Sequence, residues 1–190
     1  MWHVIGKTFS TLDNGRLREG AYKDIGTLLD WIQTRPELDA NRIMVAGTSY
    51  GGHMTLAVAA NYPNRIRCAL DIVGPSNLVT FLDKTEESDR ASFREEYGNE
   101  QDTETREFLE RIAPLSQAAR ITKPLFVVAG KNDARVAETE SEQIVAKVRK
   151  NGTPVWYLLA KDEGHGFAKK GNQDFLFYAA VEFVSEYLLK

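Results

Sequence analysis

The sequence predicts an α/β fold, a mostly parallel sheet flanked by helices. Short apolar runs recur along the chain, each too brief for a helix and each ended by glycine or a turn. Stretches with helical spacing of apolar residues lie between them. Strands that are continuously apolar, rather than alternating, are those buried on both faces, which is the situation in a parallel sheet covered by helices. With 190 residues and 43% hydrophobic content, the chain is long enough for a single domain with its own core.

The elements follow in order. Tyr22, Ile25, Leu28, Leu29 and Ile32 recur at helical spacing, and Pro36 closes that helix. Residues 43–46 form a short apolar run ending at Gly47, read as a buried strand. Residues 50–60, rich in alanine and methionine, read as a buried helix stopped by Asn61-Tyr62-Pro63. Further strands are expected at 68–73, 125–129 and 155–159, with helices at 138–150 and 172–189. Asn151-Gly152 supplies a C-terminal stop for the first of these helices. Between Asp83 and Glu110, eleven acidic and four basic residues give a local charge of −7. Two readings of this segment stand: a solvated surface excursion with a helix near 104–112, or a cap over a pocket spanning 83–120.

Composition narrows the function. A net charge of −3 leaves no electrostatic footprint for nucleic acid. No apolar run approaches the roughly 20 residues that span a bilayer. Residues 1–7 lack the pattern of a signal peptide, so a cytoplasmic protein is expected. The single cysteine, Cys68, cannot form an internal disulfide and sits in an apolar run as a small hydrophobe.

The chemistry concentrates in three loops. Gly47-Thr48-Ser49-Tyr50-Gly51-Gly52 follows an expected strand and opens an expected helix, the context of a nucleophile elbow. Small residues suit so tight a turn. Ser49 would project from the strand end, and the Tyr50 N–H, at the helix start, would face a developing oxyanion. A serine needs a base. Of three histidines, His3 is near the terminus and His53 lies on the helix behind the elbow as a packing residue. His165, in Asp162-Glu163-Gly164-His165-Gly166-Phe167, follows the fourth strand, where an α/β site belongs. The orienting carboxylate is read as Asp133, in the loop after the third strand, with Asp162 and Asp71 as weaker rivals. The order Ser49, Asp133, His165 runs serine, acid, histidine.

The elbow, the acid loop Gly130-Lys131-Asn132-Asp133-Ala134-Arg135-Val136 and the loop around His165 resemble the catalytic domain of the prolyl oligopeptidase family, closest to its acylaminoacyl-peptidase-like branch. The resemblance extends to Asp24-Ile25-Gly26, Leu28-Leu29-Asp30-Trp31-Ile32 and Arg42-Ile43-Met44. It implies an α/β-hydrolase fold and hydrolysis of peptide, acyl-amino or ester bonds, with no metal or other cofactor. Members of that family carry a propeller domain, several strands and an oxyanion tyrosine upstream of the matching region, so this chain resembles the C-terminal part of such a domain, lacking the first strands of the sheet. His53 stands where an aromatic is usual and Thr48 where Gly or Ser is commoner.

A serine hydrolase acting on small esters or short acylated peptides is therefore expected. The alternative is a truncated remnant serving as a binding or assembly module. The missing strands also predict an open edge beside the 43–46 strand, covered either by Trp2-His3-Val4-Ile5 folding back or, preferentially, by a homodimer.

Overall fold

The computed structural model describes residues 6–190; His3 and the Trp2-His3-Val4-Ile5 segment lie outside them. Four parallel strands form one sheet in the order β1-β2-β3-β4: β1 is Met44–Thr48, β2 Cys68–Ile72, β3 Leu125–Gly130 and β4 Val155–Ala160. The helices are α1 (Lys7–Ser10), α2 (Glu19–Gln33), α3 (Tyr50–Asn61), α4 (Leu78–Lys84), α5 (Glu87–Tyr97), α6 (Thr103–Ile112), α7 (Glu138–Lys150) and α8 (Lys170–Tyr187). Among the described residues β1 is an edge strand, paired only with β2.

The pleat explains the layering. Successive side chains of a strand point to opposite faces. Ala69, Leu125 and Val127 meet Leu29 of α2, Leu56 of α3 and Ile144 and Val148 of α7 on one face. Cys68, Leu70, Phe126 and Val128 meet Phe183 of α8 on the other. Cys68 is fully buried and unpaired, as its apolar run predicts. The parallel register aligns Thr48 with Ile72, and Val128 with both Ile72 and Leu158. All four C-terminal strand ends therefore lie at one edge of the sheet, where α/β folds bind ligands.

The segment between β2 and β3 is not a solvated excursion. The helix expected near 104–112 is present as α6, but α4 and α5 precede it, and all three share a core of their own. Leu78, Leu82, Leu109 and Ile112 are buried in it together with Tyr97, and Ala57 of α3 joins them. Its charges are in part internal too: Glu100 is buried against Arg94. The acidic count is high because the outer faces of these helices are charged, and on α5 Asp89 and Glu96 also line the cavity beside Phe93 and Tyr97.

Candidate active site

The turn from β1 into α3 is strained. Ser49 has φ 60 and ψ −121, a left-handed conformation that costs a residue with a Cβ about 1–3 kcal/mol. It is held there by its own amide, which donates to the Ile72 carbonyl oxygen at 2.8 Å. The close fit makes glycine necessary at two neighbours. A Cβ on Gly47 would lie 2.1 Å from the Gly51 carbonyl oxygen, and one on Gly52 would lie 2.3 Å from Asp71 Oδ1 and 2.7 Å from Gly74 Cα. Tyr50 is the first residue of α3, so its N–H belongs to the four that a helix's own ladder leaves without acceptors.

Two loops meet the elbow. Asp133 follows β3, and its Oδ1 accepts from the amides of Arg135 and Val136 at 2.8 and 2.9 Å. That turn leaves Oδ2 for His165 Nδ1, 2.8 Å away, with the carboxylate only 1% exposed. With the ring proton on Nδ1, as an ionised carboxylate partner requires, Nε2 is free to accept from Ser49 Oγ at 2.8 Å. The structure thus brings Ser49, His165 and Asp133 into one hydrogen-bonded chain from three separate loops.

The histidine loop is itself clamped. Glu163, 3% exposed, accepts from the amides of Ala168 and Lys169 at 2.9 Å each and from Asn172 Nδ2 at 2.7 Å. These donors, the Ala168 amide first, hold its carboxyl below the usual range. Its carbonyl oxygen accepts from the Asn132 amide at 2.9 Å, which links the histidine loop to the acid loop. Nothing in the sequence separates Glu163 from neighbouring Asp162; only the chain's closure around it does.

The rival carboxylates are engaged elsewhere. Asp162 binds Lys169 and Asn172 at the surface. Asp71 is completely buried on β2 beneath the elbow, its Oδ1 accepting from the Gly74 amide at 3.0 Å. Burial pushes its carboxyl well above the usual range. His53 is also fully buried. Its Nε2 lies 2.6 Å from the Tyr22 hydroxyl and its Nδ1 2.9 Å from the Pro75 carbonyl oxygen, and burial lowers its pKa to about 4.

Beside Ser49 opens a cavity of about 680 Å³. Its wall is aromatic and apolar: Tyr50, Phe81, Phe93, Tyr97 and Val136, with Arg135 and Glu96 among the polar lining. Six of the lining residues, Phe81 and five from Asp89 to Tyr97, come from α4 and α5, the helices the charge pattern concealed. The loop that carries Pro75 into the lining is fastened by Glu140, a buried carboxylate at the start of α7. It accepts from the Ser76 and Asn77 amides at 3.1 and 3.0 Å and from Thr80 Oγ1 at 2.5 Å. Sequence reasoning assigned Tyr50 only its backbone N–H; its ring also belongs to the cavity wall.

A parallel sheet, a strained serine at a strand–helix turn, and a histidine and carboxylate on later strand ends define an α/β-hydrolase fold. The family comparison agrees: the prolyl oligopeptidase family model matches residues 3–190, and the chain belongs to that family. Dipeptidyl aminopeptidase BIII of Pseudoxanthomonas mexicana is 36% identical over 88% of this chain, and dipeptidyl peptidase family member 6 of Caenorhabditis elegans is 35% identical over 88%. The matched regions make up 25% and 23% of those proteins, so the chain spans about a quarter of the curated relatives it matches. Among solved structures, a puromycin-hydrolysing peptidase of Mycobacterium tuberculosis superposes with a TM-score of 0.81 at 25% identity, covering 88% of this chain and 25% of that one. The acylaminoacyl peptidase of Pyrococcus horikoshii gives 0.79 at 21% identity, covering 94% and 29%.

Proposed function

We propose that the chain is a serine peptidase domain that cleaves short peptides, and small esters by the same route, through an acyl-enzyme. One observation carries this reading: the Ser49–His165–Asp133 hydrogen-bonded chain opens onto an aromatic cavity. His165 takes the Ser49 proton as Oγ attacks the carbonyl carbon, and Asp133 stabilises the imidazolium. The Tyr50 N–H donates to the oxyanion. His165 then gives the proton to the leaving amine or alcohol, and a water activated by the same histidine releases the acid.

The cavity takes the side chain on the acyl side of the scissile bond, and its aromatic wall favours a bulky apolar group. Helices α4–α6 act as its cap. The names of the two relatives support short peptides as the substrate class. No described helix is long and apolar enough to cross a membrane. The reaction is tested with an acetyl-phenylalanine nitrophenyl ester: the chain turns it over, and Ser49→Ala removes that turnover. Equal hydrolysis by Ser49→Ala would overturn the proposal and favour a binding or assembly module.

Assembly follows from the edge. A groove lined by Ile32, Leu38, Ile43 and Leu188 and by the Asp39–Arg42 ion pair runs beside β1, where no strand pairs among the described residues. A homodimer through this edge covers it. Light scattering over a dilution series reads the dimer directly; a monomer at every concentration would exclude it.

A further inference from the structure

Behind the aromatic wall of the cavity lies a buried charge. Arg18, just before α2, is 1% exposed and takes no part in the cavity lining. Its Nη1 donates to the Tyr50 hydroxyl at 2.6 Å and to Asp13 Oδ2 at 2.7 Å. Its Nη2 donates to the Glu96 carbonyl oxygen at 2.9 Å and stands 3.8 Å from the Glu96 carboxylate. The guanidinium carbon sits 5.0 Å from the centre of the Tyr50 ring and 4.9 Å from that of Tyr97.

These rings form a ladder. Tyr50 stacks on Tyr97 with centres 5.9 Å apart and planes 25° off parallel, and Tyr97 stacks on Phe93 at 5.9 Å and 14°. Tyr50 follows the serine on α3, whereas Phe93, Glu96 and Tyr97 belong to α5. One side chain thereby ties the start of α3, the end of α5 and the loop bearing Asp13. A buried ion pair is weak support for stability, because desolvation consumes most of its Coulombic gain. What an arginine offers here is geometry: a planar fork with fixed donor directions, which a lysine or an apolar residue cannot reproduce.

We propose that Arg18 is a positioning residue for specificity. It sets the separation between Tyr50 and the Phe93–Tyr97 wall, and so the preference of the cavity for bulky apolar acyl groups over small ones. The proposal rests on the reading of Ser49 as nucleophile and of this cavity as the acyl-side pocket. A purely structural Arg18 would lower stability without changing that preference.

The test reads selectivity in two ways. The first is the ratio of kcat/KM for acetyl-phenylalanine and acetyl-alanine nitrophenyl esters. The second is the affinity of hydrocinnamamide for the Ser49→Ala protein, which needs no turnover. Arg18→Met should lower both the ratio and the affinity by about tenfold, with Arg18→Lys recovering part of the loss. Tyr50→Phe keeps the ring ladder but removes the hydroxyl that accepts from Arg18, and should shift both in the same direction by about threefold. Arg16→Met, which breaks only the exposed pair with Glu104, should move neither. A ratio and an affinity unchanged in folded Arg18→Met overturn the proposal. If Arg18→Met does not fold, an unchanged Tyr50→Phe overturns it. A parent chain that binds hydrocinnamamide but hydrolyses neither ester overturns the reading of Ser49 instead, and the affinities alone then decide the role of Arg18.

Discussion

The three loops that carry Ser49, Asp133 and His165 contrast with the helices that wall the cavity beside them. The loops are held through backbone amides: the Ser49 amide on the Ile72 carbonyl, the Arg135 and Val136 amides on the Asp133 carboxylate, the Ala168 and Lys169 amides on the Glu163 carboxylate. The wall is held by side chains: stacked rings of Tyr50, Tyr97 and Phe93, edge-on Phe81, and the Arg18 fork across them. Short bonds from backbone amides fix the orientation of the loops. Side-chain packing across helices can be re-cut by a few substitutions. The division suits a fold in which the chemistry stays fixed and the accepted acyl group changes.

Substitutions in the loops should destroy activity and those in the wall should redirect it. Asp133→Asn should lower kcat by a factor on the order of 10⁴, the size of the corresponding loss in a Ser-His-Asp protease, with the melting curve nearly unchanged. Ser49→Ala should remove turnover and leave stability within about 1 kcal/mol, since the serine is not packed in a core. Retained activity in either variant breaks the contrast at its strongest point. Gly47→Ala sets a methyl against the Gly51 carbonyl and should yield no soluble folded protein in an expression and circular dichroism screen.

The wall should respond differently. Tyr97→Ala removes a buried ring from the α4–α6 core and should cost about 3–5 kcal/mol in denaturant unfolding. Where the variant still folds, turnover of the phenylalanine ester should suffer far more than that of the alanine ester. Equal losses would mean that the wall orients the serine rather than the substrate.

A pH effect joins the two regions through His53, whose ring contacts Tyr22 and stacks on Tyr50. Its pKa is about 4 when folded, against an unfolded value near 6.5, so the unfolded chain binds the extra proton between those limits. The stability this neutral histidine confers is complete above pH 6.5 and is lost as pH falls towards 4, by about 3 kcal/mol. Burial raises the Asp71 and Glu140 carboxyls, so their contributions slope the other way. The measurement is therefore the stability difference between the parent and His53→Gln at several pH values: it should shrink from pH 7 to pH 4, and a constant difference contradicts the neutral buried ring. Smallest of all, breaking the exposed Glu19–Arg111 pair should change stability by about 0.5 kcal/mol or less.

Legibility followed the same division. Strands β1 to β4 were visible as short apolar runs ended by a glycine or turn. Of these, β2 and β3 are buried on both faces, whereas β1, expected to be buried, is a half-buried edge strand with Ala46 exposed because no strand pairs on its outer side among the described residues. Ser49, Asp133 and His165 were visible because each sits just after such a run. Helix α5 was hidden: its inner face combines Phe93 and Tyr97 with Asp89 and Glu96, so its average character is polar. The spacing of Phe93 and Tyr97, four apart, was the one available signal. Arg18 was beyond reach, since its partners Tyr50 and the Glu96 carbonyl lie 32 and 78 residues away in sequence. A buried arginine reads like any surface arginine until the chain folds.

The central claim is that Ser49 is the nucleophile, activated through His165. Intact mass and peptide mapping after treatment with a fluorophosphonate test it most directly. The account predicts one adduct per chain, on Ser49, with labelling slowed strongly in His165→Gln and absent in Ser49→Ala. A folded chain that gains no adduct, or carries it on another residue, would contradict it.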